Sequence, residues 1–267
     1  MGMNLTQQRY KGFLKTPFLW DDELLSMKQF LIDDATEIID RKIPNTIRLG
    51  NYVEHLVSYQ LNQQESIEIL KENLQIIKSK QTLGEIDCLF TLHGIPIHLE
   101  IAYKFYLYDA SVGTSFLDHW IGPNRRDSLV LKLTKTKEKQ FPLLYHEVCK
   151  TLLKELNFKA NEIQQRAYFK AQLFIPYKQE IQFQEINSSS VSGFYLTSEQ
   201  FKEFINSKFY IPTKLDWLIE PHANVDWLGF VETQQRILEF FEKKSSPLLW
   251  LKTPNREIKK AFVVWWK

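Results

Sequence analysis

The sequence predicts an α/β protein in which a mixed central sheet is flanked by helices. Three observations support this fold class: a helical apolar stripe in residues 46–62, two alternating segments joined by a short turn in 85–104, and helical and strand-like segments that alternate afterwards. The 267 residues are 44% hydrophobic and 25% charged, an ordinary globular composition with enough chain to bury a sizeable core.

The chain begins with an acidic region. Residues 20–40 contain seven acidic side chains and one lysine, with apolar residues at helical spacings, so we expect one or two amphipathic helices here. Pro44 breaks this pattern, and a helix is expected over 46–62. The apolar stripe of that helix consists of Leu49, Val53, Leu56, Val57 and Leu61. Residues 66–70 and 73–79 are short and rich in Ile and Leu, which predicts an extended strand with an interruption.

After the two alternating segments, a helix is expected from Asn124 towards Gln140, because Asn124 and Asp127 form a weak capping box. Further helices are expected over 145–156, 198–206 and 232–243, and strands over 168–175, 194–196, 209–211, 248–251 and 261–266. The predicted organisation is N-terminal acidic helices at 1–40, a core at 41–178, and an α/β C-terminal extension packed on the core at 179–267.

Composition excludes several classes of protein. The nine glycines lie too far apart for a dinucleotide fingerprint, a phosphate-cradling loop or a nucleophile elbow. Cys88 and Cys149 are too distant in sequence for a redox pair or a zinc knuckle, and no apolar run approaches the roughly 18 residues that would cross a membrane. We expect a soluble cytoplasmic protein with no membrane partner.

The two alternating segments predict an antiparallel hairpin with a defined register. A two-residue turn at 93–94 makes Leu92 face Ile95, and each further pair keeps the same index sum, so Asp87 faces Glu100. Directly opposed side chains share a face with Cβ atoms roughly 4.5 to 5.5 Å apart. Like charges there are destabilising, which a bound divalent cation would explain.

Polar residues alternate with apolar ones on both segments, so one face is apolar and the other polar. The polar face carries Glu85, Asp87, His98, Glu100 and Lys104. An ordinary hairpin with one solvated face gives the same alternation, and in that interpretation these side chains have no chemical role.

The motifs GEIDCLF at 84–90 and HLEIAYK at 98–104 resemble the PD-(D/E)XK nuclease superfamily. The αβββαβ core of that superfamily places an Asp on one strand and a Glu and a Lys on the next, often preceded by a helical Glu. An uncharacterised bacterial family of unknown function assigned to this superfamily is similar to this chain in RLGNYVE at 48–54, NLQ at 73–75, TLGEID at 82–87, EIAYKFYL at 100–107 and IGPNRRD at 121–127. The resemblance covers about residues 45–135, more loosely the rest, and implies a restriction-endonuclease-like core.

The resemblance implies that Asp87 and Glu100 bind Mg²⁺ or Mn²⁺, with the backbone carbonyl of Ile101 as a further ligand. Such hard cations take oxygen ligands and keep several waters, one of which would be the attacking nucleophile. Glu54 corresponds to the helical Glu, at the border of its helix stripe, where a surface salt bridge is the alternative role. Glu85 is a spare ligand candidate.

The sequence departs from the superfamily pattern at the lysine. Ala102 occupies the position two residues after Glu100, so Lys104, one step further along the same face, would have to orient or deprotonate the water. In an extended strand the Cα atoms of Glu100 and Lys104 are about 13 Å apart. The alternative is a catalytically inactive nuclease-like module that binds nucleic acid or protein.

The substrate prediction rests on local charge, since the formal net charge of the whole chain is only +2. Residues 124–178 contain twelve basic and five acidic residues, a local charge of +7. We expect Arg125, Arg126, Lys132 and Lys135 to contact the phosphates of DNA or RNA, with an anion site at the helix N-terminus near 125–126. Solvated helices balanced by the acidic N-terminal region are the alternative, and a small-molecule or lipid-binding protein would need an apolar pocket.

Overall fold

The structure, a computed structural model, describes residues 4–32 and 36–267. It has a mixed α/β fold in which a large mixed sheet is flanked by helices, as the sequence predicts. The α-helices are α1 (Leu5–Lys15), α2 (Leu49–Asn62), α3 (Leu129–Lys135), α4 (Glu147–Glu155), α5 (Ser198–Phe201) and α6 (Phe230–Glu242). The strands are β1 (Glu23–Leu24), β2 (Met27–Lys28), β3 (Ile67–Lys78), β4 (Gln81–Leu92), β5 (Ile95–Tyr108), β6 (Trp120–Ile121), β7 (Gln164–Pro176), β8 (Val191–Leu196), β9 (Lys208–Tyr210), β10 (Leu248–Lys252) and β11 (Ile258–Val263).

Most elements with a clear hydrophobic period are confirmed. The stripe over 46–62 corresponds to α2, and the two alternating segments correspond to β4 and β5, which extend further than predicted. β3 runs without a break, and the interruption expected between 70 and 73 is a register shift between Ile69 and Lys71. Such a bulge bends a strand without ending it.

The acidic helices predicted for residues 20–40 are absent from the described part of that segment, and positions 33–35 lie outside it. Instead β1 and β2 form a short hairpin. The backbone amides of Leu19 and Phe30 donate to the carbonyls of Phe169 and Ala167 on β7, at 2.9 and 2.8 Å. These long-range backbone bonds hold the segment extended, and the N-terminal helix is α1 instead.

The helix predicted from Asn124 begins only at Leu129. The Asn124 side chain accepts a hydrogen bond from the backbone amide of Ser246 at 2.9 Å, and Asp127 forms an ion pair with Lys104 at 3.0 Å. Both members of the expected capping box therefore make long-range contacts, and Arg125 adopts a positive φ of 56°, which is not helical.

The described residues divide into two compact units. The first, the hairpin unit, comprises the described residues of Phe18–Tyr103 and Leu131–Lys170. Its strands β3, β4 and β5 form an antiparallel meander, and a core of Ile76, Ile86, Leu89, Leu144, Cys149, Leu153 and Ile163 packs against them.

The second, the C-terminal unit, comprises residues 4–17, Lys104–Val130 and Ala171–Lys267. Here β8 is parallel to β7 and to β11, whereas β10 is antiparallel to β11 and β9, which makes the sheet mixed. Its core is formed by Leu196, Phe201, Phe209, Ile237, Leu249, Leu251, Ala261 and Val263. The domain boundaries at 40 and 178 remain predictions.

Candidate functional site

The predicted hairpin register is confirmed over the five pairs next to the turn. The turn residues His93 and Gly94 have φ angles of 49° and 78°, the left-handed geometry of a two-residue hairpin turn. The pairs continue from Leu92 and Ile95 back to Cys88 and Leu99. At the next position the Asp87 carboxylate accepts a hydrogen bond from the backbone amide of Ile101 at 2.8 Å. Asp87 is thus fixed against β5 beside Glu100.

Two residues of the polar face, His98 and Glu100, are buried, so the interpretation as an ordinary solvated face does not hold there. Glu100 is 2% exposed, His98 is fully buried, and Leu89, two residues beyond Asp87, belongs to the core of the hairpin unit. Asp87 itself is half-buried. A carboxylate enclosed in this way is costly unless its oxygens are hydrogen-bonded or its charge is neutralised.

A helical segment that follows α3 covers Glu100. Residues Thr136–Gln140 form one turn of π-helix, a form found frequently at functional sites. The Gln140 amide donates a hydrogen bond to Glu100 Oε2. In turn, Gln140 Oε1 accepts hydrogen bonds from Lys132 Nζ at 2.9 Å and from the Thr136 hydroxyl at 3.1 Å. The Lys132 ammonium is therefore connected to Glu100 through a single amide.

A histidine binds the other oxygen of Glu100. His98 Nε2 lies 2.9 Å from Glu100 Oε1, and the Gln165 amide donates to His98 Nδ1 at 3.1 Å and to the Phe141 carbonyl at 2.7 Å. Since Gln165 donates to Nδ1, the ring proton lies on Nε2 and points at Glu100. Burial lowers the pKa of His98 to about 4, so this ring is neutral at neutral pH.

Burial raises the pKa values of the carboxyl groups of the site, and neighbouring charges shift them further. Burial, followed by the charge of Glu100, raises the pKa of Asp87, and burial raises the pKa of Glu100. On α2, burial raises the pKa of Glu54 to about 7, with contributions from Asp87 and Glu85. Lys132 lowers all three pKa values. Three carboxyls and one lysine therefore share one electrostatic environment.

The sequence predicts that Lys104 orients or deprotonates a water beside Asp87 and Glu100. In the structure Lys104 has a different carboxylate partner, which lies in the C-terminal unit. Its ammonium lies 3.0 Å from Asp127, and both side chains are partly exposed. Ala102, at the position where the resemblance implies a lysine, is 6% exposed and has no functional group in its side chain.

The four residues expected to contact phosphate differ in environment. Arg125 donates to buried Asp109 at 2.8 Å and lies over the Trp266 ring at 4.6 Å, so its guanidinium stabilises the C-terminal unit. The prediction of an anion site at a helix N-terminus near 125–126 is wrong, because α3 begins only at Leu129. Arg126 and Lys135 are exposed, and Lys135 also lowers the pKa of Glu100.

Gln140 and Gln165 were missed by sequence reasoning, and Lys132 was assigned only to phosphate binding. Glutamine carries no motif of its own, and nothing local in the stretch TKTKEKQ separates Gln140 from its charged neighbours. The π-helical turn that directs it towards Glu100 is visible only in the structure.

Within the described residues, no group of three or more His, Cys, Asp or Glu side chains is arranged to hold a metal ion. The candidate oxygen ligands for a cation at this site are the carboxylates of Asp87 and Glu100 and the backbone carbonyl of Ile101. Over the same described ranges, 4–32 and 36–267, no helix has the length and apolar character needed to span a membrane.

The fold and the site define a mixed α/β protein that carries two neighbouring carboxyl groups on an antiparallel hairpin, of which Glu100 is buried and Asp87 half-buried. The chain belongs to the family described as "Domain of unknown function (DUF1853)", whose family model matches residues 8–264. No curated protein and no solved structure matches the chain.

Proposed function

We propose that the protein is a divalent-metal-dependent phosphodiesterase that hydrolyses nucleic acid, built on a restriction-endonuclease-like core. The observation that carries the proposal is that Asp87 and Glu100 lie on neighbouring antiparallel strands just beyond the Cys88–Leu99 pair, close enough for the charge of Glu100 to raise the pKa of Asp87. Two like charges in such a place destabilise the fold, and a function that requires both is the simplest reason for their presence.

The ligand set fits a hard divalent cation. Asp87, Glu100 and the Ile101 carbonyl offer oxygen atoms, which Mg²⁺ and Mn²⁺ prefer. Burial raises the pKa of both acids, and a bound cation would favour their charged forms. Mg²⁺ commonly binds through one or two carboxylates and keeps several waters, so a set with only two acids is sufficient. When bound, such an ion supplies a water of lowered pKa and neutralises charge on a phosphate.

We assign the lysine role to Lys132 in place of Lys104. Lys132 is half-buried, reaches Glu100 through Gln140, and its charge acts on Glu54, Asp87 and Glu100 together. In this role its ammonium stabilises negative charge that develops on a phosphate. Glu54, with its pKa near 7, is placed to accept or hold a proton beside the same carboxylates.

Incubation of the pure protein with Mg²⁺ or Mn²⁺ and a panel of single-stranded and duplex DNA and RNA tests the proposal. We expect cleavage that EDTA abolishes, that Asp87→Asn and Glu100→Gln reduce by at least about a hundredfold, and that Lys132→Gln also reduces. Lys104→Gln and the exposed control Glu232→Gln should retain activity. Absence of cleavage on every substrate, or equal cleavage by Asp87→Asn, would contradict the proposal.

A catalytically inactive nucleic-acid-binding module is the second candidate. It is favoured by the hydrogen bonds that already occupy both oxygens of Glu100, from His98 and Gln140. This candidate predicts salt-sensitive binding that needs no metal, survives Asp87→Asn and is not followed by cleavage.

A further inference from the structure

A cleft of 770 Å³ lies beside α4 in the hairpin unit. Its floor includes Leu144 and Leu153, which are 1% and 4% exposed and belong to the core of that unit. Volumes of this size are typical of ligand-binding clefts, and an apolar floor favours a ligand with a flat apolar part.

The edge of the cleft is basic. Lys150 and Lys154 lie one helical turn apart on α4, are exposed, and form no ion pair within the described residues. Lys159 also lines the cleft and lies 3.3 Å from Glu162, the one acidic residue of the lining. Three ammonium groups against one carboxylate give the edge a net positive charge, which suits a polyanion.

An aromatic ring borders the same cleft. Tyr145 is 54% exposed, and in the described residues its ring has no aromatic neighbour and its hydroxyl no hydrogen bond. The half-buried Phe158 also contributes to the lining. Aromatic rings next to lysines are the combination by which proteins bind single strands, because each base offers a flat face for stacking and each phosphate a negative charge.

We propose that this cleft binds a single strand of DNA or RNA, with a base stacked on Tyr145 and phosphates on Lys150 and Lys154. The inference rests on the proposed function only where it connects the cleft to the site of Asp87 and Glu100. That connection is the 3₁₀ helix Phe141–Tyr145, which begins directly after Gln140. At about 2 Å of rise per residue it extends about 10 Å, roughly the length of three stacked nucleotides.

Fluorescence anisotropy with a labelled oligothymidine strand, in EDTA so that no cleavage occurs, tests the cleft. Tyr145→Ala should weaken binding about tenfold, whereas Tyr145→Trp should retain it. Lys150→Gln combined with Lys154→Gln should reduce the slope of log affinity against log salt by about 1.4. The matched control is Lys243→Gln combined with Lys244→Gln, two exposed lysines at the end of α6, which should bind like the wild type.

Wild-type levels of binding in the Tyr145 and double lysine variants would overturn the inference, and so would a wild-type protein that binds no single strand. Preference for duplex oligothymidine–oligoadenosine with no effect of Tyr145→Ala would also overturn it. The cleft and the phosphodiesterase can fail separately. If Asp87→Asn still binds the single strand while the wild-type protein cleaves no nucleic acid, the result supports the cleft and contradicts the phosphodiesterase.

Discussion

At the scale of single residues, Glu100 is the most constrained group of the site. His98 and Gln140 bind one oxygen each, and both donors are neutral at neutral pH. Neutral donors compensate the lost hydration of a buried carboxyl group but supply no opposite charge, and burial raises the pKa of Glu100. The charge of Lys132 lowers the pKa of Glu100 and so favours its ionised form, as a bound cation would also do.

Replacing Gln140 tests how much that compensation contributes. We expect Gln140→Ala to lower the free energy of unfolding by about 1 to 3 kcal/mol, because Glu100 loses a donor in a buried place. Urea denaturation measures the change. The exposed control Gln179→Ala should be close to neutral, and an equally small effect of Gln140→Ala would contradict the assigned contact.

Asp109 gives a pH-dependent prediction away from the site. Burial alone would raise the pKa of Asp109, but hydrogen bonds from Ser111, Arg125 and Lys267 lower it from 3.8 to about 2. Because the folded pKa lies below the unfolded one, the stabilisation is complete above about pH 4 and is lost as the pH falls towards 2.

Asp109→Asn should therefore flatten the loss of stability between about pH 4 and 2, a difference of roughly 2 kcal/mol across that window. Thermal unfolding followed at several pH values measures it. Parallel pH profiles for variant and wild type would contradict the assigned ion pairs.

At the scale of elements, the hairpin of β4 and β5 is the part that sequence predicts best. Its register depends on a two-residue turn and on alternation, both of which are local, and it is confirmed from Leu92–Ile95 to Cys88–Leu99. Asp87 and Glu100 come next and interact electrostatically. The burial of their face was not predictable, because its cover comes from Gln140 and the segment after α3, some forty residues further along the chain.

Helix prediction failed where distant contacts replaced local ones. Asn124 and Asp127 form a capping box in the sequence, but Ser246 and Lys104 occupy them in the structure. Residues 20–32 have helical spacing, but they form the β1–β2 hairpin, and Phe30 donates a backbone hydrogen bond to Ala167 on β7. In both cases the competing partner is too far along the sequence to be recognised from a local pattern.

Two glycine substitutions test the elements that hold the carboxylates, and they should have opposite signs. Gly94 has a φ of 78° in the hairpin turn, so Gly94→Ala should lower the free energy of unfolding by about 1 kcal/mol. Gly50 lies in α2 with open space around it, so Gly50→Ala should raise it by about 0.5 to 1 kcal/mol. Denaturant titration measures both, and changes of the same sign would contradict the backbone assignment.

At the scale of the whole molecule, the near-zero net charge conceals an uneven distribution. The basic stretch 124–178 contributes to both units, with Arg125 bound to Asp109 in the C-terminal unit and Lys132 beside the carboxylates in the hairpin unit. Only a part of that stretch therefore remains for phosphate binding. The family match spans residues 8–264, so both units belong to the family.

The central claim is that Asp87 and Glu100 form a cation site, and a calorimetric titration with Mn²⁺ tests it most directly. We predict about one ion bound per chain in the wild type and in the exposed control Glu232→Gln, with binding lost in Asp87→Asn and Glu100→Gln. Absence of Mn²⁺ binding in the wild type, or equal binding in all four proteins, would contradict the account.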